Sequence, residues 1–346
     1  MAARNRKKCN SRFMRHRGTG IRYPAFFCLS LALTMLFAAI FVQPAPAHGR
    51  RLDEPPKINV RSDMLVSTEW LAGHLHDPGL IVLSVSSGKD FYLSGHIPGA
   101  RYLSLGDIAV TRHGVPNELP PVNRLQRIFE AAGITNDSRV VLYGERYGLF
   151  AARAYFTLDY LGLADHAALL DGGIEKWKAE HRELSNEAVS TEAPPISQID
   201  ASPSHLRTSV TPSILVETSA MRDLAQNKSS KIAILDARPP DEFSGATRSE
   251  DVRKAGHIPH AAGLYWMDLL VSRENPVLRT TADLRAIYAK AGAGPDRAIV
   301  TYCRTGMQSS FDYFVAKYLG YDASMYDASF YEWSRQDLPV ETSERK

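Results

Sequence analysis

Two α/β domains in tandem, each a mostly parallel sheet flanked by helices, are what this sequence predicts, and three observations carry that expectation. The tetrapeptide Gly-His-Ile-Pro occurs twice, at residues 95–98 and 256–259. Around each copy, short apolar runs alternate with stretches of helical periodicity, the pattern of α/β domains built on a mostly parallel sheet. A length of 346 residues suits two domains of ordinary size.

The elements come in the same order in both halves. The first half opens with a helical pattern at Ser67-Thr68-Glu69-Trp70-Leu71 and continues with a strand run, Leu80-Ile81-Val82-Leu83. After Gly95-His96-Ile97-Pro98 comes a helix with Leu125, Phe129 and a terminal Gly133, then a second strand, Val140-Val141-Leu142-Tyr143. A helix ending Tyr160-Leu161-Gly162 follows, and then Asp171 with Trp177.

The second half repeats each part. It has a helical pattern from Thr218 to Leu224, a strand Ile232-Ala233-Ile234-Leu235, and Gly256-His257-Ile258-Pro259. Leu284, Tyr288 and Gly292 stand 159 positions after Leu125, Phe129 and Gly133, and Ile299-Val300-Thr301-Tyr302 keeps that offset from the matching strand. Tyr318-Leu319-Gly320 and Asp327 with Trp333 complete the series. Eight matches in one order indicate a duplicated domain, because the period is far longer than the ~20–50 residues of a repeat array. The expected units are residues 62–183 and 213–342, joined over 184–212 by a linker with Glu192-Ala193-Pro194-Pro195 and Ser202-Pro203-Ser204 and no sustained periodicity.

Charge is unevenly placed. The first 47 residues hold eight Lys or Arg and no Asp or Glu; without them the chain has 33 basic against 38 acidic residues, a net charge of −5. A mildly acidic body lacks the basic face of a nucleic-acid binder, so no nucleic-acid partner is expected. The basic start, the apolar run from Ala25 to Val42 and the Ala45-Pro46-Ala47 ending have the layout of a secretory signal over residues 1–47. The alternative is an uncleaved anchor, since eighteen residues reach the short edge of the roughly 17–25 that span a bilayer. Either reading places the body outside the cytoplasm, in the periplasm or extracellular space. A charged, Pro-rich spacer from Arg50 to Lys57 follows.

Of the three cysteines, Cys9 and Cys28 lie in the leader, so a mature chain keeps Cys303 alone and has no internal disulfide. A lone thiol is either buried filler or a reactive group, and its neighbours favour the second. Cys303 directly follows the strand Ala298–Tyr302, and Phe311, Phe314, Val315, Tyr318 and Leu319 beyond it have helical spacing, with Ser309 or Ser310 as the expected cap. Cys303-Arg304-Thr305-Gly306-Met307-Gln308 therefore bridges a strand end and a helix start, where α/β sheets place ligands. A helix N-terminus offers unpaired N–H groups and a partial positive charge of ~0.5 e. Gly306 lets the backbone curl so that amides converge, and Arg304 adds a full positive charge. All three favour the thiolate, the reactive form of the sulfur.

The Cys-Arg-x-Gly loop between strand and helix, the paired Gly-His-Ile-Pro elements and the ending Asp327-Ala328-Ser329-Phe330-Tyr331-Glu332-Trp333 resemble the tandem-domain rhodanese family, over residues 62–342. That resemblance implies a thiosulfate or 3-mercaptopyruvate sulfurtransferase in which Cys303 takes sulfur from a small anionic donor, holds it as a persulfide, and passes it to cyanide or a thiol. It implies a catalytic C-terminal copy and an N-terminal copy without the cysteine, matching Gly144 and Glu145 after Tyr143. Glu145 is expected to repel an anionic donor, leaving the first domain to wall the cleft. An Arg after the cysteine accompanies thiosulfate use in the family, whereas Gly with Ser accompanies mercaptopyruvate, so Arg304 leans toward thiosulfate. The expected substrate-facing set is Arg304, Thr305, Gly306, Met307, Gln308 and Ser309, with Arg238 and Arg248, while Asp236 of Asp236-Ala237-Arg238 braces the loop. The chain departs from the family at Gln308, often Thr, and at Glu242, where many members carry a substrate-binding Arg; Arg248 or Arg253 could replace that charge.

Other groups have plainer readings. His96 and His257 are either proton shuttles or fixed structural residues of the Gly-His-Ile-Pro element. Thr305 is either a hydrogen-bond donor to the sulfur or an ordinary loop residue. The histidines show no metal-ligand spacing, and neither metal nor cofactor is expected. Trp70, Trp177, Trp266 and Trp333 are expected as core or interface aromatics, and the protein as a monomer. A cysteine phosphatase would carry Arg six places after the cysteine, where Ser309 stands. A non-enzymatic persulfide carrier or binding module is the remaining alternative.

Overall fold

Two parallel sheets organise the described residues, which in this computed structural model are 58–187 and 204–343 and belong to one unit. The leader, the spacer and the linker residues 188–203, with Glu192-Ala193-Pro194-Pro195, lie outside them. Among the described residues no helix is long and apolar enough to cross a membrane.

The first sheet is built from β1 (Leu65–Val66), β2 (Leu80–Ser86), β3 (Arg101–Ser104), β6 (Arg139–Gly144) and β7 (Ala167–Leu170), in the order β1-β7-β6-β2-β3. The second has β8 (Ile232–Asp236), β9 (Ala262–Gly263), β10 (Ala298–Tyr302) and β11 (Ala323–Met325), in the order β11-β10-β8-β9. Every ladder in both is parallel. The strands are near-continuous apolar runs because helices cover both faces. The counterpart of β1 in the second domain shrinks to one bridge, Leu215 with Met325.

The repeated motifs build the same local structure twice. Each central strand ends in a buried tyrosine, Tyr143 or Tyr302, whose hydroxyl accepts the N–H of Ile97 or Ile258 at 3.1 Å. His96 stacks on Tyr92 and bonds its carbonyl through Nδ1 at 2.9 Å; His257 stacks on Phe243 and does the same at 2.8 Å. Both histidines are buried, and their backbones bridge to Ser185 and Glu341. They hold the crossover loop against the sheet.

The Leu149–Tyr160 and Met307–Tyr318 helices join the domains. Both are buried through most of their length, the first apolar nearly all round and the second carrying buried Ser309, Ser310 and Asp312. Tyr155 packs edge-on against Phe314 at 4.9 Å, and Phe156 against Tyr313 at 5.0 Å. These are reciprocal pairs between positions 158 residues apart, so the helices meet about a local twofold axis, as in a self-complementary dimer interface. The arms preceding each domain cross over in the same sense. Arg61 N–H donates to Tyr318 O, and Ser209 N–H donates to Leu161 O. One apolar cluster therefore runs from Leu83 and Phe156 to Phe314 and Met325, while the outer face of each sheet has its own.

A hairpin follows in both domains, reduced in the second to the antiparallel bridge Leu270 with Leu278. β4 (Val110–Arg112) and β5 (Val115–Glu118) form an antiparallel hairpin turning at His113 and Gly114, both with positive φ. Its second strand carries Asn117 to the loop that follows β10.

Candidate active site

β10 ends at Tyr302, and the next helix starts at Met307 with Gly306 at its N-cap. The expected Ser309 or Ser310 cap is corrected by this geometry. Gly306 has φ +81, and a Cβ there would collide with Asp327 Oδ1, so glycine alone fits and the helix begins three residues earlier. The serines sit inside the first turn. Ser310 Oγ donates to Met307 O at 2.6 Å, and Ser309 Oγ lies 3.5 Å from Cys303 Sγ and 3.2 Å from Met325 Sδ, its one proton shared between two sulfurs.

Cys303 itself is 1% exposed, at the base of a cavity of about 520 Å³. The loop backbone is held from behind. Cys303 N–H donates to Ser329 Oγ at 3.2 Å, Cys303 O accepts Phe330 N–H at 3.0 Å, and Arg304 O accepts Tyr331 N–H at 2.8 Å. Ser329 keeps a left-handed φ of 57° and is pinned by its own bond to Tyr326 O. With the carbonyls tied back, the first-turn amides of a twelve-residue helix remain without intrahelical acceptors and favour an anion at the sulfur.

A buried ion pair locks this loop to the other domain. Arg153, 0% exposed in the Leu149–Tyr160 helix, makes a bidentate pair with Asp327 at 2.5 and 3.0 Å. Its Nη2 also donates to Asn117 O at 2.5 Å, and Asn117 Nδ2 donates to Thr305 Oγ1 at 2.9 Å. The Thr305 hydroxyl keeps its own proton for another partner. Neither Arg153 nor Asn117 emerged from the sequence reading. A single arginine inside an otherwise apolar helix was the available signal, because a buried charge requires a partner.

Arg304, Thr305, Met307 and Gln308 line the cavity with Cys303; Gly306 and Ser309 lie beneath it. Arg238 and Arg248 are corrected, since neither lines it. Arg238 pairs with buried Asp236 through Nε at 2.9 Å, donates to Gly256 O at 2.8 Å, and stacks over Phe330 at 4.0 Å. It ties the Asp-x-Arg element to the Gly-His-Ile-Pro loop, and burial leaves it no route to substrate. Arg248 Nη1 caps Val252 O. Arg253 and the two Gly-His-Ile-Pro histidines also lie outside the lining.

Two charges behave differently from expectation. Arg304 is engaged by Glu242 through both Nε and Nη2, which cancels much of its charge toward the sulfur. Glu145 turns back to the residue that follows β2, where it accepts from Ser87 N–H at 3.2 Å and Ser87 Oγ at 3.1 Å. It is absent from the lining of the Cys303 cavity. The remaining wall comes from Asn117, Arg146, Tyr147 and Phe150 of the first domain and Tyr265, Trp266, Met267 and Arg273 of the second. A larger cavity of about 630 Å³ has Glu118, Glu217, Asp327 and Glu332 in its lining and no cysteine. Cys303, the one cysteine among the described residues, lines the smaller one.

Comparison with known proteins agrees with this reading. Residues 67–180 and 219–336 each match the family model described as Rhodanese-like domain. The sulfur carrier protein TtuD of Thermus thermophilus is 33% identical over 285 residues, covering 78% of this chain and 93% of that protein. A thiosulfate sulfurtransferase of Corynebacterium glutamicum is 30% identical over 298 residues, covering 82% and 91%. Among solved structures, YnjE aligns with a TM-score of 0.71 at 23% identity, over 82% of this chain and 69% of that one. An anaerobic ergothioneine biosynthesis enzyme from Chlorobium limicola aligns at 0.68 and 23%, over 82% and 71%.

Proposed function

The chain belongs to the rhodanese-like family, and from that premise we propose that it is a sulfurtransferase working through a persulfide on Cys303. The observation that carries this reading is the position of Sγ, at a helix N-terminus on the floor of a cavity whose described charged lining is arginine. The Cys303 thiolate attacks the outer sulfur of a donor such as thiosulfate. The donor's S–S bond breaks, and sulfite departs with the bonding electrons. The persulfide is held by the first-turn amides. An acceptor, cyanide or a thiol, then attacks its outer sulfur and returns the thiolate. Thiosulfate is preferred over 3-mercaptopyruvate as donor. The leader places the reaction outside the cytoplasm.

Cys303→Ser is expected to abolish thiocyanate formation from thiosulfate and cyanide while leaving thermal unfolding unchanged. In the wild type, mass spectrometry after thiosulfate treatment is expected to find one added sulfur on the Cys303 peptide. No added sulfur at that peptide would remove the proposal. The relative named as a sulfur carrier favours a second reading, in which the persulfide is delivered to a protein acceptor. Steady-state kinetics separates the two, since a carrier without a matching acceptor labels once and stalls.

A further inference from the structure

The charge that a thiosulfate-like donor requires is missing from its expected place. Glu242 occupies the position where the family resemblance implied a cation, and it engages Arg304 beside the cysteine. We propose that Arg146, on the loop of the N-terminal domain that lacks the cysteine, holds the anionic end of the sulfur donor above Cys303 and so selects oxyanion-bearing donors, a sulfonate or an α-keto carboxylate, over neutral ones. This rests on the sulfurtransferase reading and names the substrate class of that site.

Four features support the assignment. The loop between Tyr143 and the Leu149–Tyr160 helix has one more residue than the loop between Tyr302 and the Met307–Tyr318 helix. That extra residue is accommodated by a left-handed backbone at Arg146, φ 56°, and Tyr147, φ 59°, before Gly148. Left-handed geometry at two successive non-glycine residues is costly and persists only where the surroundings enforce it. Its result is that Arg146 and Tyr147 line the Cys303 cavity.

Cancellation is also avoided. The neighbouring Glu145 is drawn away by Ser87, and Arg146 stands over the Phe150 ring at 5.7 Å with no ion pair among the described residues. Arg273 lines the cavity from the other domain, and the described lining contains no Asp or Glu. An anion entering the cleft therefore meets arginines from both domains, whereas a neutral reagent gains nothing from them. The cavity, about 520 Å³, leaves room for donor and acceptor together.

The test uses the full chain with Arg146→Gln and Arg146→Lys. Alkylation of Cys303 is timed with iodoacetate and with iodoacetamide, which differ in charge but hardly in size, and thiosulfate kinetics is measured in parallel. Arg146→Gln is expected to lower the iodoacetate-to-iodoacetamide rate ratio about tenfold and to raise the thiosulfate KM by about the same factor, the loss typical of one charge-assisted contact. The iodoacetamide rate and kcat should stay near wild type, and Arg146→Lys should restore most of the ratio. An unchanged ratio, or an equal fall with both reagents, overturns the proposal. If the ratio depends on Arg146 while the wild type neither turns over nor gains sulfur, the sulfurtransferase reading fails and the anion site stands.

Discussion

The loop after Tyr143 and the loop after Tyr302 began from the same plan and ended with different tasks. Both follow a central strand, both precede a buried twelve-residue helix, and both tyrosines hold the same isoleucine amide. In the second domain β8 ends opposite Tyr302, which leaves space for a side chain at Cys303. In the first, β2 continues one step further and pairs Val85 with Gly144, where any Cβ would run into the Val85 carbonyl. The Asp236–Arg238 brace has Ser84 and Ser86 as its counterparts. The first loop has no room for a nucleophile, but its extra residue carries Arg146 and Tyr147 into the neighbouring site.

The helices that follow differ in charge at two buried positions. Arg153 matches Phe311, and Ala154 matches Asp312. Arg153 crosses the interface to Asp327 and to Gly306 O in the Cys303 loop. Asp312 has neither carboxylate oxygen hydrogen-bonded among the described residues. Burial, and next the nearby Cys303, push its carboxyl well above the ordinary range, which favours its neutral form behind the thiol. The shared fold thus buries opposite charges on its two central helices, one matched by an ion pair and the other biased toward its neutral form.

Four substitutions probe this asymmetry. The largest effect is expected from Arg153→Met, which strands Asp327 without its partner and should cost about 3–5 kcal/mol in denaturant unfolding. Adding Asp327→Leu should recover much of that loss, because the unpaired charge is removed. Next comes Gly144→Cys, expected to cost about 1–3 kcal/mol through crowding against Val85. Thiosulfate treatment should leave its new thiol unmodified, and a persulfide there would show that the two loops are interchangeable after all.

The smallest effect concerns Glu118, at the end of the first domain's hairpin. Burial, then Asp327, Glu332 and Glu217, raises its carboxyl to about 7 despite Arg112. The native state keeps a proton that the unfolded chain releases above about 4.5, so stability falls as pH rises from about 4.5 through 7. Glu118→Gln should match wild type at pH 4 and exceed it at pH 8, by under about 1 kcal/mol after solvent screening. Thermal melts at both pH values read this directly.

The duplication, the parallel α/β architecture and the strand–Cys303–helix junction were legible in the chain because they depend on local periodicity, on glycine at Gly306, and on motifs that recur in order. The cap at Gly306 rather than Ser309 was nearly legible, since the glycine was visible but the space closed off by Asp327 was not. The partners of the charges were not legible at all. Arg153 meets Asp327 174 positions away, Asn117 meets Thr305 across 188, and Glu242 meets Arg304 across 62. Whether an arginine serves substrate, braces a loop or is cancelled depends on which carboxylate lies within a few ångströms, and tertiary packing, within a domain or between the two, determines that distance.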